Sequence, residues 1–304
     1  MKKIVLLIIA LLMVTMGRAH EGNFMKSDLL KEMKPGDKAA ILMVHFGTTY
    51  DKTRTLTIDA INKKVATTFP DLTICEAWTS RIVMRRVKAR GEIKLTPTEA
   101  LEKLHKEGFT HIVVQSTNII EGIEMKALRI EVANMKPLFK DIRVGNPLLY
   151  TVDDYRKVAT ILAKDKPATG AAVLVGHGTY TPSTSSYTMM DYMLKAEGHT
   201  KFYVGTIEGY PSFEDMLEQL KHNHEKQVTL IPFMFVAGNH AHNDIAVDWK
   251  EALEKEGIQV TVCMRGLGEI ADIQNLFVEH ARYAFTHKMV NIMDKKKRYA
   301  TEKD

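Results

Sequence analysis

Short apolar runs rich in β-branched residues alternate with longer amphipathic stretches from Ala39 onward, and that alternation is the strongest constraint on the fold. A strand that gives way to a helix and then to another strand builds a βαβ unit, whose strands run parallel. The first series has the strands "AAILMVHFG", "LTICEAW" and "HIVVQSTNII", with helical stretches near 53–68, near 80–90, at "TPTEALEKLHKEG" and over 122–139. Thr96, Pro97 and Glu99 give the third of these an N-cap, a first-turn proline and an early acid. A second series follows "LAKDKPATG", with strands "AAVLVGHG", "KFYVGTIEG", "QVTLIPFMFV" and "IQVTVCM" and helices near 212–222, at "DIAVDWKEALEKEG" and near 269–285. Setting Gly47 on Gly178 aligns "ILMVHFGTTY" with "AVLVGHGTYT", and setting Gly122 on Gly238 aligns "VVQSTNIIEG" with "TLIPFMFVAG", in the same order. The expectation is a duplicated α/β domain, one copy over 37–150 and the other over 166–288, followed by a solvated charged tail at 289–304.

A length of 304 residues suits two domains of ordinary size. The first residues are of another kind. Lys2 and Lys3 precede an apolar run from Ile4 to Met16, and Gly17 and Ala19 supply small residues before His20, which predicts a secretory signal peptide over 1–19 and export to the periplasm. The apolar run falls short of the roughly 20 residues that span a bilayer, so no stable membrane span is expected after cleavage. Lys2, Lys3 and Arg18 supply three of the five net positive charges, and the mature chain is then too mildly basic to suggest nucleic acid. Cys75 and Cys263 are far apart in strand-like stretches, expected to be buried free thiols, and no C-x-x-C motif offers a zinc or redox site.

In parallel open sheets, ligands collect beyond the carboxyl ends of the strands. His45, His177 and Glu208 lie at such ends, and "AGNHAHND" (237–244) follows another. His177, Glu208 and His240 each sit beside glycine, where the backbone turns sharply and lets an outside group approach. If their strands are neighbours, two imidazoles and a carboxylate form an N,N,O donor set for a divalent transition ion, with positions left open for substrate. His242, two residues from His240 on an extended segment, is expected to point the other way. Asp244 and Asp248 are candidates either to orient an imidazole or, for Asp244, to cap the following helix. Arg54, and Arg81 and Arg85 within "RIVMRRVKAR", are cationic candidates for pairing with carboxylates.

Taken together, "GHGT", "VGTIEGYP" and "VAGNHAHND", preceded by "HFGTTY", "TPTEAL" and "VVQSTNIIEG", closely resemble the anaerobic cobalt chelatases of the CbiK type, class II tetrapyrrole chelatases, from Ala39 to about His287. The resemblance implies an α/β fold of two similar Rossmann-like domains whose parallel sheets face a central cleft holding the macrocycle. It implies that His177, Glu208 and His240 bind metal, with His177 as base, and that the substrates are a tetrapyrrole such as sirohydrochlorin and a divalent metal, cobalt first and iron second. The chain departs from the family pattern at Asn239, Asn118 and His45. Metal insertion demands neither ATP nor a redox cofactor, and a homo-oligomer is compatible with the family.

Two rival readings use other features. A periplasmic haem- or metal-binding protein, or a haem dechelatase in iron acquisition, would use the same cleft, with methionines of "TMMDYM" and Met234 as soft ligands, although methionines beside apolar residues more often fill cores. "GLGEIA" from Gly266 fits a dinucleotide fingerprint, but no further strand completes a βαβ unit, so a tight turn is expected there and no nucleotide. Phosphate-binding Walker loops and G-x-S-x-G elbows are absent.

Overall fold

The computed structural model describes residues 23–301. The expected signal peptide, residues 1–19, lies outside the described residues. Ten strands are present among those described: β1 (Phe24–Lys26), β2 (Ala39–His45), β3 (Thr73–Trp78), β4 (His111–Ser116), β5 (Asp141–Val144), β6 (Ala171–Gly178), β7 (Phe202–Glu208), β8 (Gln227–Pro232), β9 (Gln259–Val262) and β10 (His287–Met289). Eight of them form two parallel four-stranded sheets, ordered β3-β2-β4-β5 and β7-β6-β8-β9. Each sheet places its own second strand, first strand, third strand and fourth strand in that order. This shared topology is what the paired glycine motifs anticipate.

Burial explains why the strands run parallel. Every residue of β4, "HIVVQS", is buried, as is all of β6 before its last two positions. Strands covered on both faces belong in a parallel sheet flanked by helices. The helices between strands begin where their sequences provide caps: Thr96 and Ser212 each form a reciprocal capping box with the third helical residue, and Ser80 accepts from Val83 N. Met190 and Met193, considered as soft ligands, are buried in the core.

Two helices differ from the sequence expectation. The helix Ala271–Thr286 follows β9 in the chain yet packs on β4 and β5 of the first sheet, so the second half lends its last helix to the first. Buried Arg143 of β5 fixes it there by donating to the carbonyls of Ala284 and Phe285 at 3.1 Å each, while pairing with Asp141. The helix Val152–Lys164, opened by a Thr151–Asp154 capping box, joins the halves, and His280 Nε2 lies 3.0 Å from its Asp154. The boundaries 37–150 and 166–288 therefore describe the sheets better than the helices around them.

Residues 289–304, expected as a solvated charged tail, are largely exposed where described. Met289 ends β10, which pairs antiparallel with β1 and ties the two ends of the described chain together, and a helix follows at Ile292–Tyr299. β1, β5 and the helices at 152–164 and 185–196 were not foreseen, because short or mixed-polarity stretches carry little period of their own. Both cysteines are unpaired and half-buried rather than buried, and burial pushes the Cys75 thiol up. No helix among the described residues is long and apolar enough to cross a membrane.

Candidate metal centre

Chain order creates the crevice. From β6 the chain moves to one side to form β7, then crosses over to β8 on the other side, so strand order reverses between β6 and β8. Ligands bind beyond the strand ends at such a reversal. His177 stands at the end of β6, and the chain leaving β8 delivers His240 to the same place. Their rings meet edge to face with centroids 4.6 Å apart.

Each ring is held through Nδ1. His240 Nδ1 lies 2.5 Å from Asp244 Oδ2, and a carboxylate oxygen accepts, so Nδ1 carries the hydrogen and the neutral ring has its lone pair on Nε2. His177 Nδ1 faces the Gly178 carbonyl at 3.3 Å, which likewise accepts and likewise leaves Nε2 bare. Metal-binding histidines nearly always donate their second ring N–H to a carboxylate or a carbonyl in this way. The pair thus presents two imidazole lone pairs at one cleft.

The local backbone corrects the picture of an extended "AGNHAHND". His240 already has helical dihedrals, and the helix runs from Ala241, not from Asp244. One helical turn places residues four apart on one side, which brings Asp244 under His240 and leaves it no capping role. His242, expected to face solvent, is exposed and stacks on Tyr50 of the first half with centroids 4.4 Å apart. Tyr50 follows β2, and Ser183, after β6, donates to the Glu121 carbonyl, after β4, at 2.7 Å. The carboxyl edges of the two sheets therefore face one another, with the histidine pair between them.

Glu208 reaches the same edge but not the same cluster. It ends β7 in register with Gly178, and side chains alternate along a strand, so it starts on the side of the sheet opposite His177. Among the described residues, no three His, Cys, Asp or Glu side chains stand together as a ready metal cage. Glu208 is exposed and, among the described residues, forms no ion pair.

The remaining candidates separate clearly. His45 is buried, with Nε2 3.0 Å from Asn62 Oδ1 and Nδ1 3.0 Å from the Thr117 hydroxyl. Asn62 is oriented by donating to Glu76 at 2.6 Å, and Lys94 holds Glu76 at 2.8 Å. With both nitrogens bonded, His45 has none to offer a metal. Burial is the main reason its pKa is lowered, and it is neutral. Arg54, expected to meet a ligand carboxylate, is instead held by Glu92, Asp51 and Asp59 of its own domain. Arg81 and Arg85 are exposed and, among the described residues, form no salt bridge; Arg81 reaches the Met84 sulfur at 3.8 Å. The "GLGEIA" segment is the expected tight turn: Leu267 and Gly268 donate to the carbonyls of Met234 and Phe235.

Sequence reasoning missed Tyr50, Tyr180 and Tyr210. The last two are exposed just beyond β6 and β7, beside His177 and Glu208, as Phe46 is beyond β2. An aromatic directly after a glycine-bounded strand end was the available signal.

Two facing α/β domains with an imidazole pair in their cleft define a class of metal-handling protein whose ligand is gripped between strand ends. The chain belongs to the cobalt chelatase (CbiK) family, whose family model matches residues 39–286. It is 34% identical over 255 residues to the sirohydrochlorin cobaltochelatase of Salmonella typhimurium, spanning 81% of this chain and 96% of that protein. It is 31% identical to sirohydrochlorin cobaltochelatase CbiKC of Nitratidesulfovibrio vulgaris, over 81% of this chain and 90% of the relative. Among solved structures, SirB from Bacillus subtilis with Fe3+ shares the fold at a TM-score of 0.57 and 17% identity, covering 81% of this chain and 95% of SirB.

Proposed function

We propose that this chain is a lyase-type chelatase that inserts a divalent metal, Co²⁺ first and Fe²⁺ second, into sirohydrochlorin or a related tetrapyrrole without ATP. The observation that carries the reading is the edge-to-face pair of His177 and His240, each held at Nδ1 and each presenting Nε2. The names of the curated relatives support the choice of substrate. Insertion requires the ion to shed water, the ring to bend, and two pyrrole protons to leave. The two Nε2 atoms hold the incoming ion while open positions face the ring nitrogens. His177, backed only by a neutral carbonyl, takes one pyrrole proton at Nε2 as it releases the ion to the ring, and the second proton leaves to water in the open crevice; such base help is typically worth about two to four powers of ten in rate. Glu208, long, exposed and unpaired, turns into the crevice to complete the donor set and balance charge.

Phe46, Tyr180 and Tyr210 suit the flat faces of a macrocycle, and Arg81 and Arg85 suit its carboxylates. We also propose export to the periplasm, on the character of residues 1–19; the mass of the mature protein in a periplasmic fraction tests it. For the activity, purified protein is incubated anaerobically with sirohydrochlorin and Co²⁺ or Fe²⁺ and followed by absorption. Multiple turnovers to the metallated product are expected. Stoichiometric binding of sirohydrochlorin or haem, released with its metal content unchanged, would instead establish a carrier.

A further inference from the structure

We propose that Asp244 is a positioning residue that makes His240 the stronger metal-holding imidazole of the pair, so that metal capture and proton removal are divided between two otherwise similar histidines. The inference rests on the chelatase reading and deepens it.

The two rings differ in what stands behind them. Asp244 places a full negative charge 2.5 Å from His240 Nδ1, whereas His177 Nδ1 has a peptide carbonyl at the longer distance of 3.3 Å. A carboxylate behind an imidazole fixes its tautomer and orientation and raises its strength as a donor at the far nitrogen. Asp244 is also placed rigidly. It lies in the first turn of a helix that runs on to Lys255 through Ala241, Ile245, Trp249 and Leu253, all of them buried. Acidic groups are favoured at a helix start, so the carboxylate is stable there without a basic partner, and among the described residues its one ion-pair partner is His240. His240 is therefore oriented by an element anchored in the second-domain core. His177 is oriented only by its own strand end. Both imidazoles hold the incoming ion, and during transfer the less firmly backed His177 releases it first and takes up a pyrrole proton in its place.

The test uses the full mature protein with D244A and D244N. Initial rates are measured against Co²⁺ at fixed sirohydrochlorin, and the visible d–d spectrum of Co²⁺ is titrated without macrocycle. D244A should raise the half-saturating cobalt by about 10–100-fold, while turnover at saturating cobalt changes much less. D244N keeps an oxygen that accepts from Nδ1 but removes the negative charge, so it should recover only part of the loss and bind cobalt between the parent and D244A, whereas a merely structural role would leave D244N equal to the parent. In the spectral titration, D244A should weaken cobalt binding by a similar factor. Equal half-saturation in parent and D244A, a fall in turnover alone, or a parent that binds no cobalt overturns the proposal. If the parent fails to metallate sirohydrochlorin yet its cobalt spectrum weakens in D244A as stated, the chelatase reading fails and the role of Asp244 stands.

Discussion

The two halves share one strand order, and the ends of their first strands differ by a single phase of the β-strand. Gly47 and Gly178, the paired glycines, have φ of +97° and +85°, a region that side chains rarely adopt. A Cβ at Gly47 would stand 2.5 Å from the Trp78 ring, and one at Gly178 would stand 1.7 Å from the Glu208 carbonyl oxygen. The turns are thus equivalent and equally dependent on glycine. Counting back from them, His177 corresponds to Phe46, and His45 corresponds to Gly176. Side chains one residue apart point to opposite faces. His45 therefore faces the core, where Asn62 and Thr117 saturate it, and His177 faces the crevice with one nitrogen bare. The same residue type, one position out of phase, is structural in one half and offered to ligand in the other. The first half presents Phe46, 44% exposed, where the second presents the imidazole of His177.

The sharpest way to break this asymmetry is to make the second half like the first. His177→Phe should reduce metallation by at least about 10²–10⁴-fold, the usual worth of a base, with the fold retained because the site is only half-buried. Turnover within tenfold of the parent would remove His177 from the chemistry. The converse change, His45→Leu, should act on stability. It strands the half-buried Asn62 side-chain oxygen and removes a partner from the buried Thr117 hydroxyl, at a cost of about 1–3 kcal/mol, and lowers the melting temperature while the rate per folded molecule persists. A lost rate at unchanged melting temperature would give His45 a catalytic part.

The smallest effect concerns pH. Burial lowers the pKa of His45 below its ordinary 6.5, so the unfolded chain takes up this proton before the folded one does. The stability associated with a neutral His45 is full above pH 6.5 and is lost as pH falls below it toward the depressed folded value. Melting temperatures from pH 7.5 to 5.5 should therefore fall less steeply in His45→Leu than in the parent. Identical slopes would mean that His45 is not held neutral.

The sequence made the strands and their pairing into two halves readable because buried parallel strands are continuous apolar runs and their terminal glycines are conspicuous. It could not show that Ala271–Thr286 packs on the other half's sheet, since an apolar helix face is the same whichever sheet it covers. His177 and His240 were legible as strand-end residues, and their proximity follows from the strand order. The bond from Asp244 was half visible. A spacing of four suggests contact only on a helix, and a segment with glycine, two asparagines and two histidines gives weak helical signal. The saturation of His45 was hidden altogether, because Asn62 lies on a neighbouring helix and Thr117 beyond another strand. Arg54 misled for a similar reason: the acids that neutralise it include Glu92, remote in sequence and adjacent in space.

Everything turns on whether the two bare nitrogens share one ion. A crystal of the mature protein grown anaerobically with Co²⁺, phased at the cobalt edge, measures this directly. The account predicts one cobalt within bonding distance, about 2.1 Å by analogy with zinc, of Nε2 of both His177 and His240, with Asp244 still on the far side of His240. Cobalt bound elsewhere, or held by one of the two histidines alone, would contradict it.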